Sequence, residues 1–304
     1  MRVTSNTLSQ IIINGSQSSQ LQLAQIEQDV STGNDVTQAS DNPEAYNQAS
    51  VIQSNLAELN TYSNAISTAT TATSANNSAM TSLYDAVSQA GENATSVASD
   101  SSTADMQDEA TSIQSLLTEV ISVVNQKDSN GNYMFGGTNN VAPLTSTGSF
   151  NTTANNETSS TEVAQGNSVQ TSIVAGNGTT DGFLSDTATG VNVITALQQT
   201  ITDLNNGDAT AVQTTDVPAL NAALNLISSY VGSTAASMAA VSTAKTQNAS
   251  QVTSEGNDLN SLTQTNVATA SVQLQQIQNQ YEATLEAGSR VLGLSILNYL
   301  ATTT

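Results

Sequence analysis

Residues 261–300 read SLTQTNVATA SVQLQQIQNQ YEATLEAGSR VLGLSILNYL, and this stretch decides the fold. Apolar or small residues recur in it at steps of mostly three and four, which places them on one side of an α-helix. The opposite face carries Gln and Glu and is typical of a solvated surface. Such a helix would be roughly 50 Å long, and its apolar stripe is narrow. The stripe consists of Leu262, Val267, Ala270, Leu274, Ile277, Tyr281, Leu285, Gly288, Leu292, Ile296 and Tyr299.

A second stripe near the start of the chain offers this helix a partner. It predicts a helix from about Thr4 to Val30, with Gly33 suited to the left-handed position that ends a helix. Gly15 and Ser19 weaken this stripe, so one pairing leaves the C-terminal helix marginal, and we expect other subunits to complete it. The expected assembly interface consists of Leu8, Ile12, Leu23, Ile26, Leu274, Ile277, Tyr281, Leu285, Leu292, Ile296 and Tyr299.

Four further helical regions lie between the two stripes. Asn42-Pro43-Glu44 is a helix start, because Asn caps the first turn and Pro fits its first position. The pattern after it predicts one helix of about fifty residues. A further helix starts at Ser101-Ser102-Thr103 and stops near Lys127. Helical patterning returns over residues 191–205 and again from Pro218 to about Leu262, with a break at residues 263–265.

Residues 132–190 are rich in Gly, Thr, Ser and Asn and predict a small β-rich insert, with strand-like pieces at 133–135, 163–165, 168–174 and 182–184. A tight turn is expected at residues 128–131. Tyr133 and Phe135 are expected on one face of the short strand after it, both buried where the insert meets the helix bundle. The predicted fold is therefore mainly α, an elongated rod of long antiparallel helices with this insert in the middle. The expected domains are an N-terminal coiled-coil segment (1–38), two halves of a helical bundle (39–131 and 191–262), the insert (132–190) and a C-terminal coiled-coil segment (263–304).

Composition excludes several classes of function. The chain has four Lys and Arg against 25 Asp and Glu, a net charge of −21, so we expect neither nucleic acid nor a membrane surface as a partner. It has no Cys and no His, which removes the commonest nucleophile–base pairs and metal ligands. We therefore expect no enzyme, no cofactor and no metal. We also expect no Sec signal peptide and no transmembrane segment.

Three motifs resemble one family. Residues 30–36 (VSTGNDV) and 40–43 (SDNP) are similar to the start of flagellin-like proteins. Residues 128–138 (DSNGNYMFGGT) resemble the flagellar hook-associated protein 3 family, the hook–filament junction protein, and residues 294–300 (LSILNYL) resemble the ending shared with flagellin. Asn34 and Asn132 stand where the family has basic residues. The motif residues are Ser31, Gly33, Asp41, Pro43, Gly131, Tyr133, Phe135 and Gly136.

The resemblance implies a structural subunit of the bacterial flagellum, exported by the flagellar type III apparatus with the help of a chaperone. It would be extracellular and form a homo-oligomeric ring between hook and filament. Its neighbours would be another hook-associated protein and flagellin, and its terminal helices would form the inner coiled-coil tube. Two alternatives stay open from the sequence: a short flagellin that forms the filament itself, and a secreted surface adhesin whose insert binds a ligand.

The scarcity of cations generates a prediction about assembly. Intersubunit contacts can rarely be salt bridges, so assembly should depend on apolar stripes and on amide or hydroxyl contacts. We expect raising the salt concentration to weaken the assembled form little, since screening acts on charges. Sedimentation at low and high ionic strength measures this, and extensive dissociation on adding salt alone would contradict it.

Overall fold

Helices dominate the computed structural model, which describes the backbone of residues 5–97, 101–155 and 157–301 and the side chains of these apart from 5, 6 and 291–301. The prediction of a mainly α fold with a small β insert is confirmed. A one-turn π-helix, Val212–Asp216, lies between the fifth and sixth helices. The helices are α1 (Ser5–Thr32), α2 (Pro43–Ser96), α3 (Thr103–Val124), α4 (Val193–Asn206), α5 (Ala209–Ala211), α6 (Val217–Thr263) and α7 (Val267–Ala301).

The helix starts follow the predicted caps. Asn42 accepts a hydrogen bond from the Ala45 backbone at 3.1 Å, and Pro43 is the first residue of α2. Ser102 and Asp105 form a reciprocal capping box at the start of α3. In both cases a side chain accepts a hydrogen bond from a backbone N–H group that the start of a helix leaves without a partner. Because these contacts are local, the helix starts could be predicted from the sequence.

The β structure consists of two small antiparallel pairs. Strands β1 (Ser160–Ala164) and β2 (Asn167–Gln170) form a hairpin with an irregularity near its turn. Strands β3 (Ser185–Asp186) and β4 (Val191–Asn192) pair next to the start of α4. The strand expected at 182–184 is wrong. These residues form a turn with an isolated bridge between Gly182 and Ser185, and strand β3 begins directly after them.

The chain divides into two compact units, each of which is described by itself. The terminal unit comprises Met1–Glu58 and Val252–Thr304, and the central unit comprises Leu59–Gln251. The central unit contains all of the largest fully buried side chains that the structure describes, which explains how it forms its own core. These side chains are Phe135, Phe183, Met80, Leu83, Ile113, Leu144, Leu184, Leu197, Leu204, Leu220, Ile227 and Val87.

The polar middle of α2 is held by buried hydrogen bonds rather than by helix propensity. Thr73 is 2 % exposed and donates to the Ala69 carbonyl at 2.8 Å. Asn76 is 4 % exposed and donates to the Thr171 carbonyl at 2.9 Å, which ties the insert to the helix. Because buried polar groups cost free energy unless they are paired, these bonds fix the side of α2 that faces the insert.

The aromatic motif of the insert is folded differently from its prediction. Tyr133 makes only an isolated bridge to Lys127, and the chain turns at once, so residues 133–135 are not a strand. The turn is enforced at Gly136, where a Cβ would lie 2.0 Å from the Val141 carbonyl oxygen. Phe135 is buried as expected and meets Phe183 edge-on, with ring centroids 5.1 Å apart.

Tyr133 departs from the prediction that both aromatics of this motif are buried. It is half-buried, and its ring lies 4.5 Å from the Lys127 ammonium. The reason is the early turn, which sends the two rings in different directions instead of onto one strand face.

The difference between these two rings predicts unequal effects on stability. Phe135→Ala should lower the free energy of unfolding by ~3–5 kcal/mol, because it leaves a cavity in a filled core. Tyr133→Ala should cost clearly less, since its ring keeps contact with water. Thermal unfolding of both variants measures this, and equal losses would contradict the placement of Phe135.

Candidate assembly surface

Helices α1 and α7 run antiparallel in the terminal unit, and three contacts fix their register. The Gln20 side chain donates to the Tyr281 hydroxyl at 2.7 Å. Further toward the chain ends, a Cβ at Gly15 would lie 3.7 Å from Thr284, and one at Gly288 would lie 3.0 Å from Ile12. The N-terminal stripe therefore faces the C-terminal stripe, as predicted.

Small residues allow the close approach of these helices. Ser19 is 2 % exposed, and Gly288 is buried against the Ile12 side chain. Small side chains at a helix contact let the two backbones come near each other, and the larger neighbours then lie along the flanks of the contact. Gly15 and Ser19, which weaken the apolar stripe in sequence, are thus part of the seam in space.

The seam covers the larger stripe residues only in part. Ile12, Leu23, Ile26, Leu274, Ile277 and Tyr281 are half-buried. Leu8 is 39 % exposed and Leu285 is 49 % exposed. Leu292, Ile296 and Tyr299 lie outside the residues whose side chains the structure describes. The predicted interface residues therefore share one helix pair, and the described ones retain accessible apolar surface.

The expected interface leaves out a second set of apolar residues on the same helices. These side chains lie off the main stripes and are more exposed than most stripe residues, with Leu21 reaching 74 %. For Leu21 and Val272 the available signal was an apolar residue between polar ones, which a search for helical stripes passes over. Ile11 and Ile13, by contrast, flank Ile12 of the stripe. The set comprises Ile11, Ile13, Leu21 and Val272, and Val267 of the C-terminal stripe is 53 % exposed as well.

The terminal unit differs sharply from the central unit in what it buries. Its buried apolar side chains, among those described, are the alanines Ala45, Ala49 and Ala270. By contrast, nine of the ten large apolar side chains found exposed in the described chain belong to this unit. A surface of this kind is typical of a site that packs against another protein.

Backbone hydrogen bonds join the end of α1 to the break between α6 and α7. Gly33 has a φ of 73°, the left-handed conformation predicted for it, and accepts from the Thr265 backbone at 2.9 Å. The Asp35 backbone donates to the Thr263 carbonyl at 2.9 Å, and Asn34 and Gln264 form an antiparallel bridge. The first family motif therefore holds α1 and α7 at a fixed point.

Asp41 closes the loop that follows. Its carboxylate accepts from the backbones of Thr37 and Gln38 at 3.0 and 2.9 Å, and these bonds hold the pKa of Asp41 below its usual value. Ser31 is exposed at the end of α1, and Pro43 is exposed at the start of α2. The roles of these motif residues that the geometry supports are turn formation and capping.

A groove of about 460 Å³ opens beside this loop within the terminal unit. Val36, Tyr46 and Leu259 give it apolar lining, and Tyr46 is 39 % exposed. The groove adds partly accessible apolar side chains at the start of α2 to those of α1 and α7.

The second family motif, in the central unit, is also structural. Asp128 accepts from the backbones of Asn130 and Asn132 at 2.8 and 2.9 Å, which lowers the pKa of its carboxyl. Gly131 closes the tight turn predicted there by donating to the Asp128 carbonyl at 3.1 Å. The motif thus positions Phe135 in the core.

The described residues include no cluster of three or more acidic side chains arranged to hold a metal ion. In the same part of the chain, no helix is sufficiently long and apolar to span a membrane.

Comparison with known proteins agrees with this geometry. Residues 3–140 match the family model of the bacterial flagellin N-terminal helical region. The crystal structure of Bacillus cereus FlgL is similar at a TM-score of 0.57 and 17 % identity, covering 69 % of this chain and 99 % of that one. The flagellar junction protein FlgL from Legionella pneumophila is similar at a TM-score of 0.58 and 14 % identity, covering 71 % and 100 %.

The chain has the fold of the flagellar hook-associated proteins. The likeness to this family predicted from the three motifs is confirmed. No curated protein sequence gives a significant match, so the relationship is carried by the fold and by the N-terminal family model.

The close approach at Gly288 predicts a specific loss of α1–α7 pairing. Gly288→Leu should push Ile12 away and separate the helices, so amides in both should exchange with solvent faster. Gly256→Leu is the matched control, because Gly256 is also helical and a Cβ placed there would have no neighbour within 4 Å. Both variants gain similar helix propensity. Equal exchange in the two variants would contradict the seam.

Proposed function

We propose that this protein is a structural subunit of the bacterial flagellum that forms the junction between hook and filament. The observation that carries the proposal is the apolar surface of α1 and α7, which the described helix pair leaves accessible. The protein shares its fold with flagellar hook-associated proteins, which supports the interpretation of this surface as an assembly interface. The work of the protein is mechanical, and no reaction is assigned to it.

Copies of the chain pack through α1 and α7 into a ring, and the apolar side chains on the flanks of the seam become buried. Full burial of one side chain such as Leu21 adds ~1.5–3 kcal/mol, so several per subunit supply a strong contact without charge pairing. Another hook-associated protein lies on one side of the ring and flagellin on the other. The subunit reaches this extracellular position through the flagellar type III apparatus, accompanied by a chaperone.

The filament subunit itself is a second candidate, favoured by the match of residues 3–140 to the flagellin N-terminal region. The two differ in how far assembly proceeds. Flagellin polymerises into long filaments, whereas a junction protein stops at a thin ring. Electron microscopy of the purified, concentrated protein separates them.

The direct experiment removes the chain from its host and images hook–basal bodies. We expect hooks without filaments and filament protein in the medium. Normal filaments on such hooks would overturn the junction proposal. Complementation with the intact gene controls for effects on neighbouring genes.

A substitution pair separates assembly from folding. Leu285→Asp puts a charge where the proposal places an intersubunit contact, so it should leave the melting temperature of the free subunit nearly unchanged yet prevent filament retention. Leu117→Asp should lower the melting temperature strongly, because Leu117 is 3 % exposed in the core and a buried unpaired charge is costly.

Gln278→Asp is the matched control for charge, since Gln278 is an exposed residue of the same helix. It should retain filaments. If Leu285→Asp also retains them, or if it unfolds the subunit as Leu117→Asp does, the assembly role of this surface is wrong.

A further inference from the structure

Asp216 is a buried acid that the proposed function does not use. It is the last residue of the π-helix that leads into α6, and it is 1 % exposed. Its Oδ2 atom has no hydrogen-bond partner among the described residues. Unpaired buried polar atoms are rare and expensive in folded proteins, and insertions of π-helix frequently mark functional positions.

The groups that face Asp216 are acids. Asp203, half-buried on α4, lies close enough to share a hydrogen bond with it, and Asp208, exposed before α5, adds a second negative charge. Both have other hydrogen-bond partners: Asp203 accepts from Gln199 at 2.9 Å, and Asp208 accepts from the Ala211 backbone at 2.9 Å.

Among the residues that the structure describes, no Lys or Arg contributes to the environment of Asp216. Two carboxyl groups in contact without a cation cannot both stay ionised at little cost, so one of them retains a proton. Burial first, and then the charge of Asp203, raise the pKa of Asp216 to about 7.

We propose that the Asp203–Asp216 pair is a pH-sensitive latch on the junction between α4 and α6. When Asp216 holds its proton, the two carboxyls share a hydrogen bond and the junction is closed. When the proton leaves, two negative charges face each other in a buried site, and the π-helix opens to admit water.

The proposed opening takes place at the turn of the π-helix. The π-helix is closed by the hydrogen bond from the Val217 backbone to the Val212 carbonyl, and Gln213 donates from its side chain to the Val97 carbonyl. Water that reaches Asp216 must disturb this turn.

The latch stands out because the chain has no His, the side chain that usually titrates near neutral pH. The pKa of Asp216 is higher in the folded than in the unfolded chain, so the folded state binds the proton more tightly. The stability that protonation of Asp216 contributes is fully present below the pKa of Asp in the unfolded chain, which is near 4. It is lost as pH rises through about 7.

Thermal unfolding of the full chain between about pH 5.5 and 8.5 tests the latch. The melting temperature of the unaltered protein should fall by about 2–4 °C or more across this range. Asp216→Asn should show no such fall, because its amide is neutral at every pH and still donates to Asp203. Asp29→Asn is the control, since burial also raises the pKa of Asp29 but in the terminal unit; it should keep the fall.

Two further measurements test the proposal independently. Hydrogen exchange at the Val217 amide, corrected for its intrinsic pH dependence, should accelerate above pH 7 in the unaltered protein and not in Asp216→Asn. Asp203→Asn should move the midpoint of the fall to lower pH, and it serves if Asp216→Asn does not fold. A melting temperature that is constant over this pH range, or an equal fall in Asp216→Asn, overturns the proposal.

Discussion

Two helices packed side by side can bury only the side chains along one seam. In the terminal unit, small residues such as Ser19 and Gly288 occupy that seam and allow α1 and α7 to approach closely. The large apolar residues are consequently left along its flanks, half-buried or exposed. The accessible apolar surface is thus a direct result of how closely the helices pack, and it is the surface that the proposed assembly buries.

The central unit satisfies its apolar residues internally. α3 and α4 pack together, the hairpin residues Val163 and Val169 join Ile66 of α2 and Val241 of α6, and Phe135 and Phe183 meet edge-on. This unit therefore supplies most of the stability that the described chain has by itself. The proposed assembly is consistent with this division, because a subunit with its own core can fold before its terminal helices pair with other copies.

The sequence was most informative where local chemistry determines the structure. Asn42 and Pro43 start α2, Gly33 takes a left-handed conformation, and the break after Thr263 separates α6 from α7, because each depends on neighbours only a few residues away. Tyr133 was misplaced because the nearby turn depends on the contact between Gly136 and Val141, which the strand-like pattern does not contain. Exposure of Leu21 and burial of Asp216 result from packing between distant segments, so no pattern of spacing revealed them.

The proposed assembly requires α1 and α7 to expose apolar surface in the free subunit and to bury it in the assembled form. Hydrogen–deuterium exchange measured on both forms compares these states directly. We predict strong additional protection in peptides from α1 and α7 on assembly, and little change in peptides that contain Leu117 or Leu197 of the central core. Equal protection of α1 and α7 in the free and assembled forms would contradict this mode of assembly.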